Sequence, residues 1–214
     1  MKIINTLPHL LTHLQQWEEI PSQADFEAYL KPIDPLLRPM LEDFSGRWGA
    51  SFYSIVSSLN WKAYRDEALT LQSDSEEARL KKHLASVENL LGIELKGEAV
   101  LFGGFTSMDG YARFDQASHR VYLGVDESHN QGKYLDILIS HELTHVAREP
   151  LPEIWAGFGL TPQMSHDQFV ENQPVIEHLM GEGFSCLVSE LLNPGESPWN
   201  YVYQNQETLA HILD

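Results

Sequence analysis

Cysteine is almost missing from this chain of 214 residues, with Cys186 the only one. That excludes an intrachain disulfide and a cysteine-rich zinc site, so any metal would have to be held by histidine and carboxylate. Long apolar runs are missing as well. No segment approaches the eighteen consecutive apolar residues of a membrane span, and residues 1–9 lack the unbroken apolar stretch of a signal peptide. A soluble, cytoplasmic protein is the expectation. Positive charge is the third scarcity. The net charge is −17, all fourteen Lys and Arg lie at or before Arg148, and residues 149–214 hold ten Asp and Glu with no basic residue. Nucleic acid and anionic membrane both require basic patches, so neither is an expected partner. An acidic surface aids solubility, and its field also attracts a dication and cationic substrates.

What the chain does have is enough apolar material for a core. Hydrophobic residues make up 43% and aromatics 10%, which argues for a globular protein of one large or two small domains. From Leu7 to about Leu91 the pattern is mostly helical, with breaks expected at Pro8, Pro21, Pro32, Pro35 and Pro39. Leu7, Leu10, Leu11, Leu14 and Trp17 recur at helical spacing, and Ser22 with Asp25 begins a second short helix. A helix from about Trp48 to Leu71 follows. Another begins at the cap-like Ser73-Asp74-Ser75-Glu76, carries Leu80, Leu84, Val87, Leu90 and Leu91, and stops at Gly92. Residues 1–92 thus read as a helical scaffold, with His9, His13 and His83 expected at its surface.

At Gly92 the period changes. Ala99–Phe102, Tyr111–Phe114 and Arg120–Val125 are short strand candidates separated by turn residues, which suggests a three-stranded antiparallel meander. A helix is expected from about Gln131 to Glu149, ended by Pro150 and Pro152, with Leu135, Ile139, Leu143 and Val146 as its core stripe. Residues 151–173 read as loop with one helical turn, and a last long helix should run from Pro174 to Leu192. The fold class expected is α+β, mostly helical, with a small antiparallel sheet beside the 131–149 helix. Residues 93–214 form its core region, either as a second domain or continuous with the first.

On that helix His141-Glu142-Leu143-Thr144-His145 spells H-E-x-x-H. Histidines four apart lie one turn above each other on one helix face, so both can ligate one Zn²⁺ while Glu142 projects towards a water on the metal. A shuffled chain of this composition would show the motif about 4% of the time, so it needs support elsewhere. No Lys or Arg stands three or four positions from Glu142 to make it a mere salt-bridge partner. A catalytic zinc generally takes three protein ligands and one open position. The helix 174–192 offers Glu177, His178, Glu182 and Glu190, and Glu182 within Gly181-Glu182-Gly183-Phe184-Ser185 is the best third ligand. His178, one turn earlier on the same face, is the fallback ligand or a supporting group.

H-E-x-x-H followed on a later helix by Glu-Gly-aromatic-small resembles the glutamate-zincin metallopeptidases. The 37 positions from His145 to Glu182 are more than in zinc aminopeptidases. The chain is more similar to the bacterial family of predicted Zn-dependent proteases with this motif, which also has a strand like Leu123-Gly124-Val125-Asp126 before it. The resemblance covers about Leu101–Leu192. It implies a zincin-like fold, Zn²⁺ held by His141, His145 and Glu182, Glu142 as general base, and a peptide or protein substrate. Two departures stand out. Where such proteins place an acidic residue to orient a ligand histidine this chain has Cys186, read as a small buried residue, so the orienting carboxylate either comes from Glu190 or Asp136 or is absent. The oxyanion-stabilising group is open among Tyr201, Tyr203 and His211. An edge strand that pairs with extended substrate is expected at Val121–Val125 or Tyr111–Phe114, while Tyr111, Tyr122 and Phe105 read as core. The readings are therefore a soluble zinc peptidase, a catalytically silent metal-binding or interaction protein on the same fold, or an acidic helical scaffold with an accidental motif.

Overall fold

The helix carrying the motif is the centre of the molecule. The computed structural model describes residues 1–49, 51–115, 118–126, 133–157, 159, 161 and 164–202. The chain starts with strand β1 (Lys2–Asn5) and continues through α1 (Leu7–Gln16), α2 (Gln23–Leu30), α3 (Asp34–Trp48), α4 (Phe52–Val56), α5 (Trp61–Ala68) and α6 (Ser73–Leu91). Strands β2 (Glu98–Phe102), β3 (Gly110–Asp115) and β4 (Ser118–Gly124) lead into α7 (Tyr134–Arg148). Helices α8 (Pro152–Gly157), α9 (His166–Asn172), α10 (Val175–Leu192) and α11 (Pro198–Tyr201) follow. The class is mixed α+β, mostly helical with one small sheet.

The sheet is not the expected meander. Its order is β1-β2-β4-β3, with β1–β2 and β2–β4 parallel and only β3–β4 antiparallel. Two things rearrange it. The N-terminal Lys2–Asn5 adds a strand against Glu98–Leu101, and Thr6 fixes its end by donating from both N and Oγ1 to the Leu101 carbonyl, at 2.9 and 2.8 Å. The chain after β2 then crosses the end of β4 instead of turning back beside it. The Met108 carbonyl stands 1.9 Å from where a Cβ would be on both Gly104 and Gly124, so only glycine permits that crossing. One consequence bears on function: β3 is an edge strand, and β4, which holds Val121–Gly124 of the expected Val121–Val125 in its register, is interior.

In the N-terminal half several prolines lie inside helices. Pro8 opens α1, Pro35 opens α3, and Pro39 is accommodated within α3. The first-turn positions lack an intrahelical N–H partner in any case. The single helix expected over 48–71 is two, because Asn60 caps a new start by accepting from Ala63 N at 3.5 Å. Leu7, Leu10, Leu14, Phe26, Tyr29 and Leu80 are fully buried with the strands and α7 in one continuous core. Gly92 ends α6 in the left-handed region, as its position predicts.

Helix α7 is buried on nearly every side, not on one stripe. Leu135, Ile139, Leu143 and Val146 are core, but so are Ile137, Leu138, Ser140 and Thr144. A helix enclosed like this must satisfy its polar side chains internally. Thr144 Oγ1 donates to the Ser140 carbonyl and Ser189 Oγ, from α10, donates to the Ile137 carbonyl. His83, expected at the surface, is buried and ties α6 to α7: Nε2 donates to Asp136 Oδ1 at 3.0 Å and Nδ1 lies 2.9 Å from Ser140 Oγ. Its spacing from Leu80 and Val87 had already put it on the apolar stripe. Asp136 is thereby engaged away from the motif histidines, with Arg79 at 3.4 Å as a second partner.

The His83 hydrogen bond, aided by the charges of His83 and Arg79, holds the Asp136 carboxyl below its ordinary range against the opposing effect of burial. A carboxyl depressed on folding contributes stability that is complete above its unfolded value, about 3.9, and is lost as pH falls through the folded one. The melting temperature of Asp136→Asn is expected to lie below wild type at pH 7, with the gap closing as pH is lowered under about 4. A gap unchanged down to acid pH would show that the pair contributes no charge-dependent stability.

Candidate metal centre

Successive turns of α7 place His141 and His145 on one side, and α10 crosses that side with Glu182. The two Nε2 atoms are 3.1 Å apart. Glu182 Oε2 lies 3.2 Å from His141 Nε2, and Oε1 lies 3.6 Å from His145 Nε2. A tetrahedral zinc with bonds of about 2.0–2.1 Å has neighbouring ligand atoms about 3.3 Å apart. One ligand atom from each of the three residues lies within 4.8 Å of the others, so the group could hold such an ion. Among the described residues they are the one cluster of histidine, cysteine or carboxylate with such convergence.

The crossing of α10 over α7 depends on Gly181, not on both glycines of the Gly-Glu-Gly stretch. A Cβ on Gly181 would stand 2.9 Å from Glu149 Oε1 and 3.4 Å from Arg148 Nη1, whereas one on Gly183 would meet nothing. Beside Gly181, Arg148 reaches Glu177 Oε1 at 2.5 Å and Glu149 Oε1 at 3.5 Å. Both carboxylates are buried and the Arg148 side chain is 11% exposed, so the last basic residue of the chain clamps the two helices that carry the cluster.

Glu149 supplies the orienting carboxylate that sequence reasoning sought in Asp136 or Glu190. It accepts from His145 Nδ1 at 3.2 Å, which leaves Nε2 directed at the cluster. Its place four residues after His145 on the same helix was the available signal. Glu190 is exposed. Beside His141 stands Cys186, whose Sγ is 3.9 Å from Nδ1. Burial, and then the neighbouring Glu182, push this thiol up to about 11, so it stays protonated.

The charges respond to one another. Hydrogen bonds from His141 and His145 hold the Glu182 carboxyl far below the usual carboxylate range. Burial alone would lower His145, but the hydrogen bonds to Glu149 and Glu182 outweigh it and raise the imidazole to about 10. Glu142, 8% exposed, moves up because it is desolvated, with His141 and His145 pulling down and Asp109 and Glu182 pushing up. A dication among these carboxylates would replace the imidazolium proton and favour ionised Glu142.

A cleft of about 520 Å³ opens in front of the cluster, between α7, α9, α10 and β3. Glu142 lies against the strand: a Cβ on Gly110 would fall 2.7 Å from Glu142 Oε1 and 2.7 Å from Leu138 Cδ1. Glycine at this point lets the edge strand pass directly over α7. At the other end of β3, α9 begins at a capping box of Ser165 and Gln168 and brings His166 to the strand. Phe114 N donates to His166 Nδ1 at 3.2 Å, so the imidazole proton sits on Nε2, 2.6 Å from the Tyr111 hydroxyl. Tyr111 in turn donates to Asp43 Oδ2 at 2.7 Å, which also pairs with Arg113. Tyr111 is thus partly core, stacked on Tyr122, and partly cleft wall. Tyr122 and Phe105 are fully buried core, as expected. Phe114 N–H points away from β4, and strand alternation turns the Ala112 and Gly110 backbone groups the same way, with the Gly110 N–H donating to Asp109 Oδ1 at 2.9 Å.

Other expected participants are placed elsewhere. Tyr201 is buried and closes the end of α10, donating to the Asn193 carbonyl at 2.6 Å and accepting from Glu196 N. It is a structural tyrosine. His178 is exposed at the cleft wall and is not one of the converging ligands. Tyr203 and His211 lie outside the described residues. The segment read as loop between α7 and α10 holds α8 and α9, and His166, unsuspected from its sequence setting, comes from there. Among the described residues no helix is long and apolar enough to cross a membrane. Compared with known proteins, the chain matches no family model, and neither a curated protein nor a solved structure shows significant similarity.

Proposed function

We propose that the protein is a zinc-dependent metallopeptidase of the glutamate-zincin type. The observation that carries this is the convergence of His141 Nε2, His145 Nε2 and the Glu182 carboxylate within 3.1–3.6 Å, with buried Glu142 beside them under an edge strand. Zinc, when bound, supplies Lewis acidity that polarises a carbonyl and acidifies water. Glu142 takes the proton of the attacking water and returns it to the leaving amine. Glu149 fixes the His145 ring. The outward backbone groups of Ala112, with the Gly110 carbonyl, bind an extended peptide by strand addition, held over the ligands. The acidic lining, with Asp109, Glu142, Glu149 and Glu182 and no lysine or arginine among its residues, favours substrates with basic or free-amine groups.

Metal content tests the reading. Purified protein is expected to carry about one zinc per chain and to hydrolyse members of a mixed peptide library. Glu182→Ala and His145→Ala should each lose the metal and the activity. Metal unchanged in Glu182→Ala would remove Glu182 from the ligand set. Cys186, standing where an acidic orienting residue is usual, favours a second reading: a zincin-type metal-binding protein without turnover. Stoichiometric zinc with no hydrolysis of the library would select it.

A further inference from the structure

Helix α10 has a second face that neither the core nor the cleft uses. Ile176, Met180, Leu187 and Leu191, with Leu179 beside them, are each at least half exposed. They recur at spacings of four and three along about 22 Å of helix, and Gly183 sits in the middle of the row. Glu182 points about 100° away around the helix, so the face lies beside the metal cleft without covering it.

We infer that this face binds a second copy of the same chain, with the two α10 helices antiparallel about a two-fold axis near Gly183 and Phe184. The row is self-complementary. Ile176 and Leu191 are equidistant from the midpoint between residues 183 and 184, and so are Met180 and Leu187. A two-fold axis there seats each of these side chains against its counterpart, as an isologous interface requires. Gly183 supports the same conclusion. A glycine inside a helix costs about 1 kcal/mol relative to alanine, yet a Cβ there would meet nothing within its own chain. The close approach that warrants it comes from outside, where it lets two helix backbones meet.

Size and charge agree. The exposed apolar row amounts to roughly 600 Å² per copy, at the upper end of the largest apolar patch on a typical monomer. Two copies would bury about 1,200 Å², at the lower limit of specific stable interfaces. Of the three carboxylates on α10, Glu177 is buried against Arg148 and Glu182, its side chain 43% exposed, is turned to the His141–His145 cluster, which leaves Glu190 as the exposed one outside that cluster. A basic amphipathic partner would find little to pair with on this face, whereas a second copy needs no cation. The net charge of −17 opposes the approach of two copies at long range, and added salt screens it.

Sedimentation velocity on the full chain tests the inference, independently of metal or peptidase activity. The protein should dimerise, more tightly as salt is raised from about 0.1 to about 0.5 M. Met180→Glu and Leu187→Glu should each weaken the dimer by more than about tenfold while keeping the wild-type circular dichroism, since both side chains are exposed. Gly183→Cys, in a Cys186→Ser background so that the new thiol is the only one, should form a disulfide-linked dimer on mild oxidation. A monomer at about 100 μM in high salt, a dimer untouched by both Glu substitutions, or no cross-link through position 183 would each overturn the proposed interface. So would a stable complex with a different protein on this face in place of the dimer.

Discussion

Glu142→Gln is expected to keep its zinc and lose hydrolysis by about 10²–10⁴-fold in kcat, the range that a positioned general base contributes. The amide preserves the shape of a side chain that is 8% exposed and packed under Gly110, so the edge strand and α7 should stay in place. It removes only the capacity to accept a proton. Glu142 is not one of the converging ligands, so metal content should not follow activity down. The pH profile of the wild type gives an independent check. Burial raises the Glu142 carboxyl and the neighbouring histidines oppose it. A base works only when ionised, so kcat/KM should fall on the acid side as Glu142 is protonated. A bound dication shifts that limb to lower pH. Zinc measured by mass spectrometry beside initial rates on one cleaved peptide settles the assignment. Full activity in the Gln variant would exclude Glu142 as the base, and loss of zinc would make it a structural support for the ligands.

The parts of this site that could be read from the sequence are those set by local geometry. His141 and His145 are one helical turn apart whatever surrounds them, and Glu182 sits on a helix whose start and stop were marked by Pro174 and Asn193-Pro194-Gly195. The features that escaped depend on contacts between distant segments. Lys2–Asn5 is too short to signal a strand by itself, and it becomes one because Glu98–Leu101 offers an edge. That addition, with the chain crossing at Gly104 and Gly124, decides that β3 rather than β4 borders the cleft. Asp136 and Tyr201 had suitable chemistry, but His83 and Asn193 claim them first. Glu149 read as a helix end, and only the position of α10 shows that it is enclosed beside a ligand. Composition, likewise, showed an acidic C-terminal third without showing that Arg148, at its border, pairs with two of its buried carboxylates.

Arg148→Ala is expected to be the most destabilising single substitution near the site. Glu149 and Glu177 are 3% and 4% exposed; Arg148 pairs with both, and Glu149 also accepts from His145, so Glu177 is the one that depends on Arg148. Removing one member of a buried ion pair leaves the other charge desolvated and unopposed, at a cost of about 3–5 kcal/mol. Domains of this size are stable by about 5–15 kcal/mol, so the loss is a large fraction of the total. The effect should reach the metal as well, because Glu149 orients His145 and Gly181 brings α10 against this same group. Arg148→Lys should recover only part of the stability, since an ammonium cannot span both carboxylates as the planar guanidinium does. Arg148→Met combined with Glu177→Gln should recover more than Arg148→Met alone, because the second change removes the stranded charge. Urea unfolding with chelator present is the appropriate measurement, as bound zinc would otherwise stabilise each variant by mass action. If Arg148→Ala lowers stability by less than about 1 kcal/mol, the value of a surface ion pair, the clamp is solvent-screened and α7 and α10 are held together by their apolar contacts alone.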